Sequence, residues 1–309
     1  MRKTAFLFPG QGAQNVGMGR SFYEKYDAVR QYFKTAQEVT GIDVASLCFE
    51  ENEALNQTEY TQIAMYTTEC AILHVLREKR IPYEAAAGLS LGEYAALTAA
   101  GALSFKDGCY VIRRRGIYME QAVPEGQGSM AAVLGLSAKQ TEEVLKTSLD
   151  TAKIGIANYN CPGQIVITGE TKAVEEASEK LKEAGAKRTV MLNVSGPFHS
   201  PMLEKAGEEL AEVLKDVELS PLKVPYVTNV TAEQVSDIGM TRDLLAKQVS
   251  SSVKWQQSME NLIADGVDTF VEIGPGKTLA GFMRKISRDV KVYNIGIWDD
   301  VEKVVENLK

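Results

Sequence analysis

Ala85-Ala86-Ala87-Gly88-Leu89-Ser90-Leu91-Gly92-Glu93-Tyr94 is the stretch on which the fold turns. The small residues up to Gly88 suit a buried strand, and residues 91–100, rich in Ala and Leu, suit a helix. Gly101 follows where a helix end asks for a left-handed residue. Strand, sharp turn and helix around G-x-S-x-G is the setting of a nucleophile elbow. Gly88 and Gly92 leave room where a side chain would strike the tight turn. Ser90 then stands at a helix N-terminus, whose free N–H groups favour negative charge. The plainer reading of so short a motif is a glycine-flanked serine in an ordinary loop. The strand–helix context is what favours the nucleophile.

Composition narrows the rest. Of 309 residues, 45% are hydrophobic and 24% charged, enough for a sizeable core and two lobes. No apolar run approaches a membrane span, and Phe8-Pro9-Gly10 cuts the apolar start too short for a signal peptide. No membrane association is expected. Cys48, Cys70, Cys109 and Cys161 are widely spaced with no C-x-x-C pair, which fits a reducing cytoplasm and argues against a structural zinc site. A net charge of −7 with no long basic run argues against nucleic acid as a partner. An acidic partner requires a local basic patch, because the overall field repels it.

Upstream, Thr4–Phe8 reads as a strand, followed by the Gly-rich loop Pro9-Gly10-Gln11-Gly12-Ala13-Gln14 and helical spacing over 21–39. A dinucleotide fingerprint fails because Asn15 takes the place of the third Gly. The loop instead presents backbone N–H groups to a site, with Gln11 between two glycines. Residues 61–80 read as a helix with a buried face; His74 within it, among Ala71, Ile72, Leu73 and Val75, has structural character. Residues 107–123 read as another helix and carry Arg113-Arg114-Arg115. Successive positions turn by about 100°, so the three cannot share one direction. At least one lies on a solvated face. Arg115, on the side of Val111, Ile112 and Met119, is as able as any to reach inward.

At Pro124-Glu125-Gly126-Gln127-Gly128 the character changes. Strands at 130–134, 154–159, 165–168 and 189–194, with helices at 137–146 and 174–184, give β-α-β-β-α-β, the ferredoxin-like pattern. Ser137 is placed as an N-cap. The division expected is a large lobe of residues 1–124 and 196–309, with residues 125–195 inserted as a small lobe. Next comes Gly196-Pro197-Phe198-His199-Ser200-Pro201. Ser200 is placed to cap, and Pro201 to begin, a helix running to about residue 217. His199 is thereby pinned at a positive helix end, which disfavours imidazolium and suits a general base. The chain has two histidines, so His199 is the base available to Ser90; the alternative is a turn histidine without a partner. Residues 224–229 read as a strand. Thr241 reads as the cap of a helix with Leu244, Leu245, Gln248 and Val249 inward. Gln248 there needs a hydrogen-bond partner, either backbone or the base. Residues 267–273 read as a strand before Gly274-Pro275-Gly276-Lys277-Thr278, where a P-loop fails because Val271 holds the place of its first Gly.

Four stretches now point together: Phe8-Pro9-Gly10-Gln11-Gly12-Ala13-Gln14, Gly88-Leu89-Ser90-Leu91-Gly92-Glu93, Gly196-Pro197-Phe198-His199 and Glu272-Ile273-Gly274-Pro275-Gly276. In order and spacing they resemble the acyltransferase family of fatty-acid and polyketide synthesis, over essentially the whole chain. The resemblance is strongest to its free-standing malonyl-CoA:acyl carrier protein transacylases. It implies an α/β fold with an α/β-hydrolase-like large lobe, a parallel sheet, an inserted ferredoxin-like small lobe and a site between the two. It implies Ser90 as nucleophile, His199 as base, Gln248 orienting His199 through its backbone carbonyl or side chain, and Arg115 as anchor for a substrate carboxylate. The backbone N–H groups of Gln11 and Leu91 would form the oxyanion hole, and Phe198 marks the malonyl rather than the methylmalonyl type. The activity implied is ping-pong transfer of malonyl from malonyl-CoA to acyl carrier protein, with no metal or redox cofactor. A monomer is expected, docking its carrier on a basic patch for which Lys187, Arg188 and Arg284 are candidates. Two departures stand out: Leu89 where malonyl-selective members often carry His, and Ser252 where Pro is frequent. The rival readings are a serine thioesterase or esterase, which shares Ser90 and His199, and a non-catalytic malonyl-CoA-binding module, against which the intact Ser90, His199 and Arg115 argue.

Overall fold

A parallel strand covered on both faces is apolar nearly throughout, and β1 (Thr4–Phe8) is buried at every position. Phe6 and Phe8 enter one hydrophobic cluster while Ala5 and Leu7 enter another, so the strand feeds two cores by simple alternation. β2 (Ala85–Gly88) repeats this with Ala86 on one side and Ala85 and Ala87 on the other. The computed structural model describes residues 2–308. Its remaining strands are β3 (Gly128–Leu134), β4 (Ile154–Cys161), β5 (Gln164–Glu170), β6 (Arg188–Met191), β7 (Tyr226–Val227), β8 (Gln234–Val235), β9 (Thr269–Ile273) and β10 (Lys291–Ile295).

Among the described residues these make two sheets. One is ordered β10-β9-β1-β2-β7-β8. It is parallel from β10 to β7, with β8 antiparallel at the edge. The other is ordered β4-β5-β3-β6 and antiparallel throughout. Helices Ala138–Ser148 and Thr171–Glu183 belong to this second unit, whose own core includes Ala131, Val133, Ile165, Ile167, Val174 and Leu181. This is the ferredoxin-like arrangement inserted between strands of the parallel sheet. Ser137 caps its helix as expected, accepting from the Gln140 N–H in a full capping box. Among the described residues, no helix is long and apolar enough to cross a membrane.

Several boundaries differ from the sequence reading. The helix expected over 21–39 is two, Arg20–Lys25 and Asp27–Thr40, broken at an extended Tyr26. The Tyr26 ring packs against Trp298, on the C-terminal helix Trp298–Leu308. Thr241 opens helix Thr241–Gln248 from inside it, and its hydroxyl is engaged by Tyr226 rather than capping. β7 is shorter than 224–229. β6 runs as Arg188–Met191 rather than 189–194, because its pairing with β3 ends at Met191.

Candidate active site

The site begins at the C-terminal ends of β1 and β2, where an open parallel sheet leaves a crevice. A Cβ on Gly88 would lie 1.9 Å from the Gly92 carbonyl, and one on Gly92 would lie 2.2 Å from the Phe8 carbonyl oxygen. Both glycines are therefore required by close backbone approach, and they fold the turn that helix Gly92–Ala99 continues. Ser90 sits at φ 54, the strained left-handed conformation of a nucleophile elbow. Two amide side chains hold it there. Asn229 accepts from the Ser90 N–H at 2.7 Å and donates to the Gly88 carbonyl at 2.7 Å. Gln248 Nε2 donates to the Ser90 carbonyl at 3.0 Å.

His199 Nε2 lies 2.8 Å from Ser90 Oγ, and Nδ1 lies 2.9 Å from the Gln248 backbone carbonyl. A carbonyl only accepts, so Nδ1 carries the proton and Nε2 is left to accept from the serine hydroxyl. Burial, reinforced by the nearby Arg115 charge, lowers the His199 pKa to about 4. The imidazole is thus neutral near pH 7, as a general base must be. The cause differs from the helix end expected. Ser200 spends its hydroxyl on the Pro197 carbonyl, and Pro201–Leu203 is a short 3-10 turn before helix Glu204–Lys215.

The three arginines diverge as their helical spacing requires. Arg114 is exposed, and Arg113 pairs with Glu59 at 2.8 Å. Arg115 is 1% exposed. Its guanidinium donates to Gln62 Oε1 at 2.7 Å, Gln248 Oε1 at 3.0 Å and Ser90 Oγ at 3.1 Å. Among the described residues no carboxylate lies within ion-pair distance of it. Glu93 acts on it only at longer range, and a buried cation with no anion in direct contact is costly unless one arrives. Gln248 meets His199 through its backbone carbonyl rather than its side chain, which turns instead to Arg115 and the Ser90 carbonyl.

Ser90, His199 and Gln62 open into a cleft of about 390 Å³ between the two sheets, with Arg115 and Gln248 buried behind them. Gln11, Leu89, Ser90, Leu91, Phe198 and His199 line it from one side, and Asn158, Asn160 and Val166 from the other. The Gln11 and Leu91 amides take no backbone partner among the described residues, which leaves them available to an oxyanion. The Gln11 side chain is turned to Thr58, whose hydroxyl also meets Ser195 at 3.0 Å. Lys187, Arg188 and Arg284 are all exposed. Sequence reasoning did not single out Gln62, Glu93 or Asn229. For Glu93 a signal existed, a charged residue at the start of a helix that is otherwise buried.

The acyl transferase domain family matches residues 5–299 of this chain. The malonyl CoA-acyl carrier protein transacylase of Bacillus subtilis (strain 168) is 45% identical, over 100% of this chain and 98% of its own. Among solved structures, the malonyl CoA-acyl carrier protein transacylase of Clostridium perfringens Atcc 13124 superposes with a TM-score of 0.94 at 42% identity, over 99% of this chain and 97% of its own. A malonyl-transacylase in complex with its type II PKS acyl-carrier protein superposes with a TM-score of 0.95 at 35% identity, over 99% of each chain.

Proposed function

The chain belongs to the acyl transferase domain family, and from that premise we propose that it carries malonyl from malonyl-CoA to the phosphopantetheine thiol of acyl carrier protein through a malonyl ester on Ser90. One observation carries this beyond generic acyl transfer: the buried Arg115, with no carboxylate in direct contact among the described residues, reaches the same Ser90 Oγ that His199 contacts. A plain ester offers nothing to such a cation. A malonyl half-thioester offers a carboxylate beside the reacting carbonyl, and the planar guanidinium matches it with two parallel donors.

His199 Nε2 takes the Ser90 proton as Oγ attacks the thioester carbon. The oxyanion forms against the Gln11 and Leu91 N–H groups. On collapse the C–S bond breaks, and His199 returns the proton to the departing CoA thiol. The carrier thiol then reverses the sequence: it loses its proton to His199, attacks the malonyl ester and releases Ser90. One thioester replaces another with no change of oxidation state, so the cycle balances without a cofactor. Phe198 and Leu89 border the acyl group and set the room for a branch on it. Lys187, Arg188 and Arg284 receive the acidic carrier. The same reaction serves fatty-acid and polyketide assembly. Four free, buried cysteines support a reducing compartment, and we take the working form to be a monomer.

Intact-mass analysis after exposure to malonyl-, methylmalonyl- and acetyl-CoA tests the reading. The expected result is a stable malonyl adduct on the wild type and none on Ser90→Ala. Rapid free malonate without carrier would indicate a thioesterase. Binding with no covalent mass would leave only a malonyl-CoA-binding module.

A further inference from the structure

The hydrogen-bond network behind Ser90 converges on a group that the reaction itself does not touch. Glu93 is 0% exposed. Its Oε2 accepts from Gln248 Nε2 at 2.6 Å and from the Asn229 backbone N–H at 3.0 Å. These are the two residues that grip the strained elbow from either side. Gln248 is an amide, and an amide can stand either way round in a site of its shape. Here its nitrogen faces three acceptors, Glu93 Oε2 at 2.6 Å, the Ser90 carbonyl at 3.0 Å and Asn229 Oδ1 at 3.4 Å, and its oxygen faces the Arg115 donor. The Ser90 carbonyl meets the elbow end of this amide. Glu93 is the acceptor that also carries charge, and its bond is the shortest, so it is the strongest of the three.

We propose that Glu93 is a positioning residue that fixes which way the Gln248 amide points, and through it holds Arg115 ready for the substrate carboxylate. An ionised carboxylate has no proton to donate. It therefore admits only the –NH₂ end of Gln248, and the carbonyl end must turn to the guanidinium. Reversing the amide would set –NH₂ against Arg115, donor against donor, and push the anchor from its place. The base is held separately, by the Gln248 backbone carbonyl. The effect of Glu93 therefore falls on recognition of a dicarboxylic acyl group more than on acylation as such.

The electrostatics agree with this geometry. Burial raises the Glu93 carboxyl to about 7, against the opposing pull of its Asn229, Gln248 and Thr228 donors and of Arg115. The charged or titratable groups sharing its surroundings are Arg115 from helix Phe105–Gln121, Tyr94 from its own helix and Tyr226 from β7. Burial pushes both phenols above their ordinary range, so they stay neutral. Below neutrality Glu93 gains a proton, can donate, and no longer dictates the amide.

The inference rests on the malonyl-transfer reading, and the test separates the two. Single-turnover acylation is followed with malonyl-CoA and acetyl-CoA for wild type, Glu93→Gln, Gln248→Leu and the double variant, from pH 5.5 to 8. Losing one charge-assisted bond at Arg115 predicts that Glu93→Gln slows malonyl acylation about tenfold or more while acetyl acylation changes about threefold or less. In the wild type the malonyl rate alone falls off below about pH 7, and Glu93→Gln removes that limb. In the Gln248→Leu background the added Glu93→Gln should change malonyl acylation by about twofold or less, since the two act in series. Should Glu93→Gln not fold, Glu93→Asp keeps the charge but withdraws it from Gln248, and the same collapse of its effect in Gln248→Leu is expected. Equal losses for both acyl groups, an unchanged malonyl pH profile, or additive effects with Gln248→Leu would each overturn the proposal while leaving malonyl transfer standing. A wild type that forms no malonyl ester would overturn the transfer reading itself.

Discussion

Two places in this molecule are built to one plan: a parallel strand, a glycine-rich turn and a helix, with a buried glutamate. At the end of β2 the turn is Gly88-Leu89-Ser90-Leu91-Gly92 and the glutamate, Glu93, comes after it. At the end of β9 the turn is Gly274-Pro275-Gly276-Lys277 and the glutamate, Glu272, comes before it. Glu272 folds back onto its own helix start, accepting from the Leu279 and Ala280 N–H groups at 3.0 and 2.8 Å. That helix end is occupied by its own chain. Glu93 turns away instead to residues 136 and 155 positions distant, and the Leu91 amide at its turn stays open. The order of glutamate and turn decides whether a helix N-terminus becomes part of the fold or part of a site.

The contrast breaks most sharply at the glycines. Gly92→Ala places a Cβ 2.2 Å from the Phe8 carbonyl oxygen, so the elbow must move. A displacement of about 1 Å predicts roughly a hundredfold loss of acylation by single-turnover kinetics, with overpacking that destabilises by about 1–3 kcal/mol in chemical denaturation. Gly276→Ala meets nothing closer than 3.6 Å, though its φ is +78°. It should show only backbone strain of about 1–2 kcal/mol, with acylation retained. Equal kinetic losses at the two glycines would mean that the turns are not functionally distinct.

Arg115 serves the elbow alone. Losing two charge-assisted bonds of about 1.5–3 kcal/mol each predicts that Arg115→Ala lowers malonyl kcat/KM by about a hundredfold or more. Acetyl acylation of Ser90 should fall little, and Arg115→Lys should rescue little because an ammonium lacks the fork. A common drop for both substrates would make Arg115 structural.

Glu272→Ala supplies the complementary case. Removing two hydrogen bonds to the helix start destabilises by about 2 kcal/mol, read as a lower Tm, with acylation by the folded protein unchanged. Burial raises the Glu272 carboxyl. The folded state therefore binds its proton more tightly than the unfolded chain does. Its linked contribution is full below the ordinary carboxylate range and declines as pH rises through the raised value. A growing gap between wild type and variant at higher pH would contradict this.

The linkage at His199 has the opposite sign. The pKa of His199 is lowered to about 4 from its ordinary 6.5. Its linked contribution is complete above about 6.5 and is lost as pH falls toward 4. Against a His199→Gln variant, wild-type stability should therefore decline relative to the variant over that window in denaturant titrations. A flat difference would mean that the imidazole is not buried neutral.

Most of this architecture is legible in residue order because its strands and turns are local. The alternating small residues of β2, the Gly pair at the elbow, the inward side of the Arg115 helix and the Ser137 cap all declare themselves within one element. What stays hidden depends on distant partners. Tyr26 stands extended between two helices with its ring against Trp298, and Thr241 accepts from the Tyr226 hydroxyl. The low pKa of His199 comes from burial and Arg115, not from the helix expected after it. β10, half-buried at the sheet edge, and the short β8 lack a strong pattern. Glu93, Asn229 and Gln62 look like isolated polar residues until the fold joins them to Ser90 and Arg115.

The grip on Ser90 also sets a clock. Its partners His199, Asn229 and Gln248 lie 109, 139 and 158 residues downstream, and β9, which pairs directly with β1, comes later still. Contacts of such long range close late, after the loop entropy between them has been overcome. At about 5–20 residues per second, a ribosome needs roughly 10 to 30 seconds after making Ser90 to deliver Gln248. Throughout that interval Ser90 lacks the partners that grip it in the folded chain.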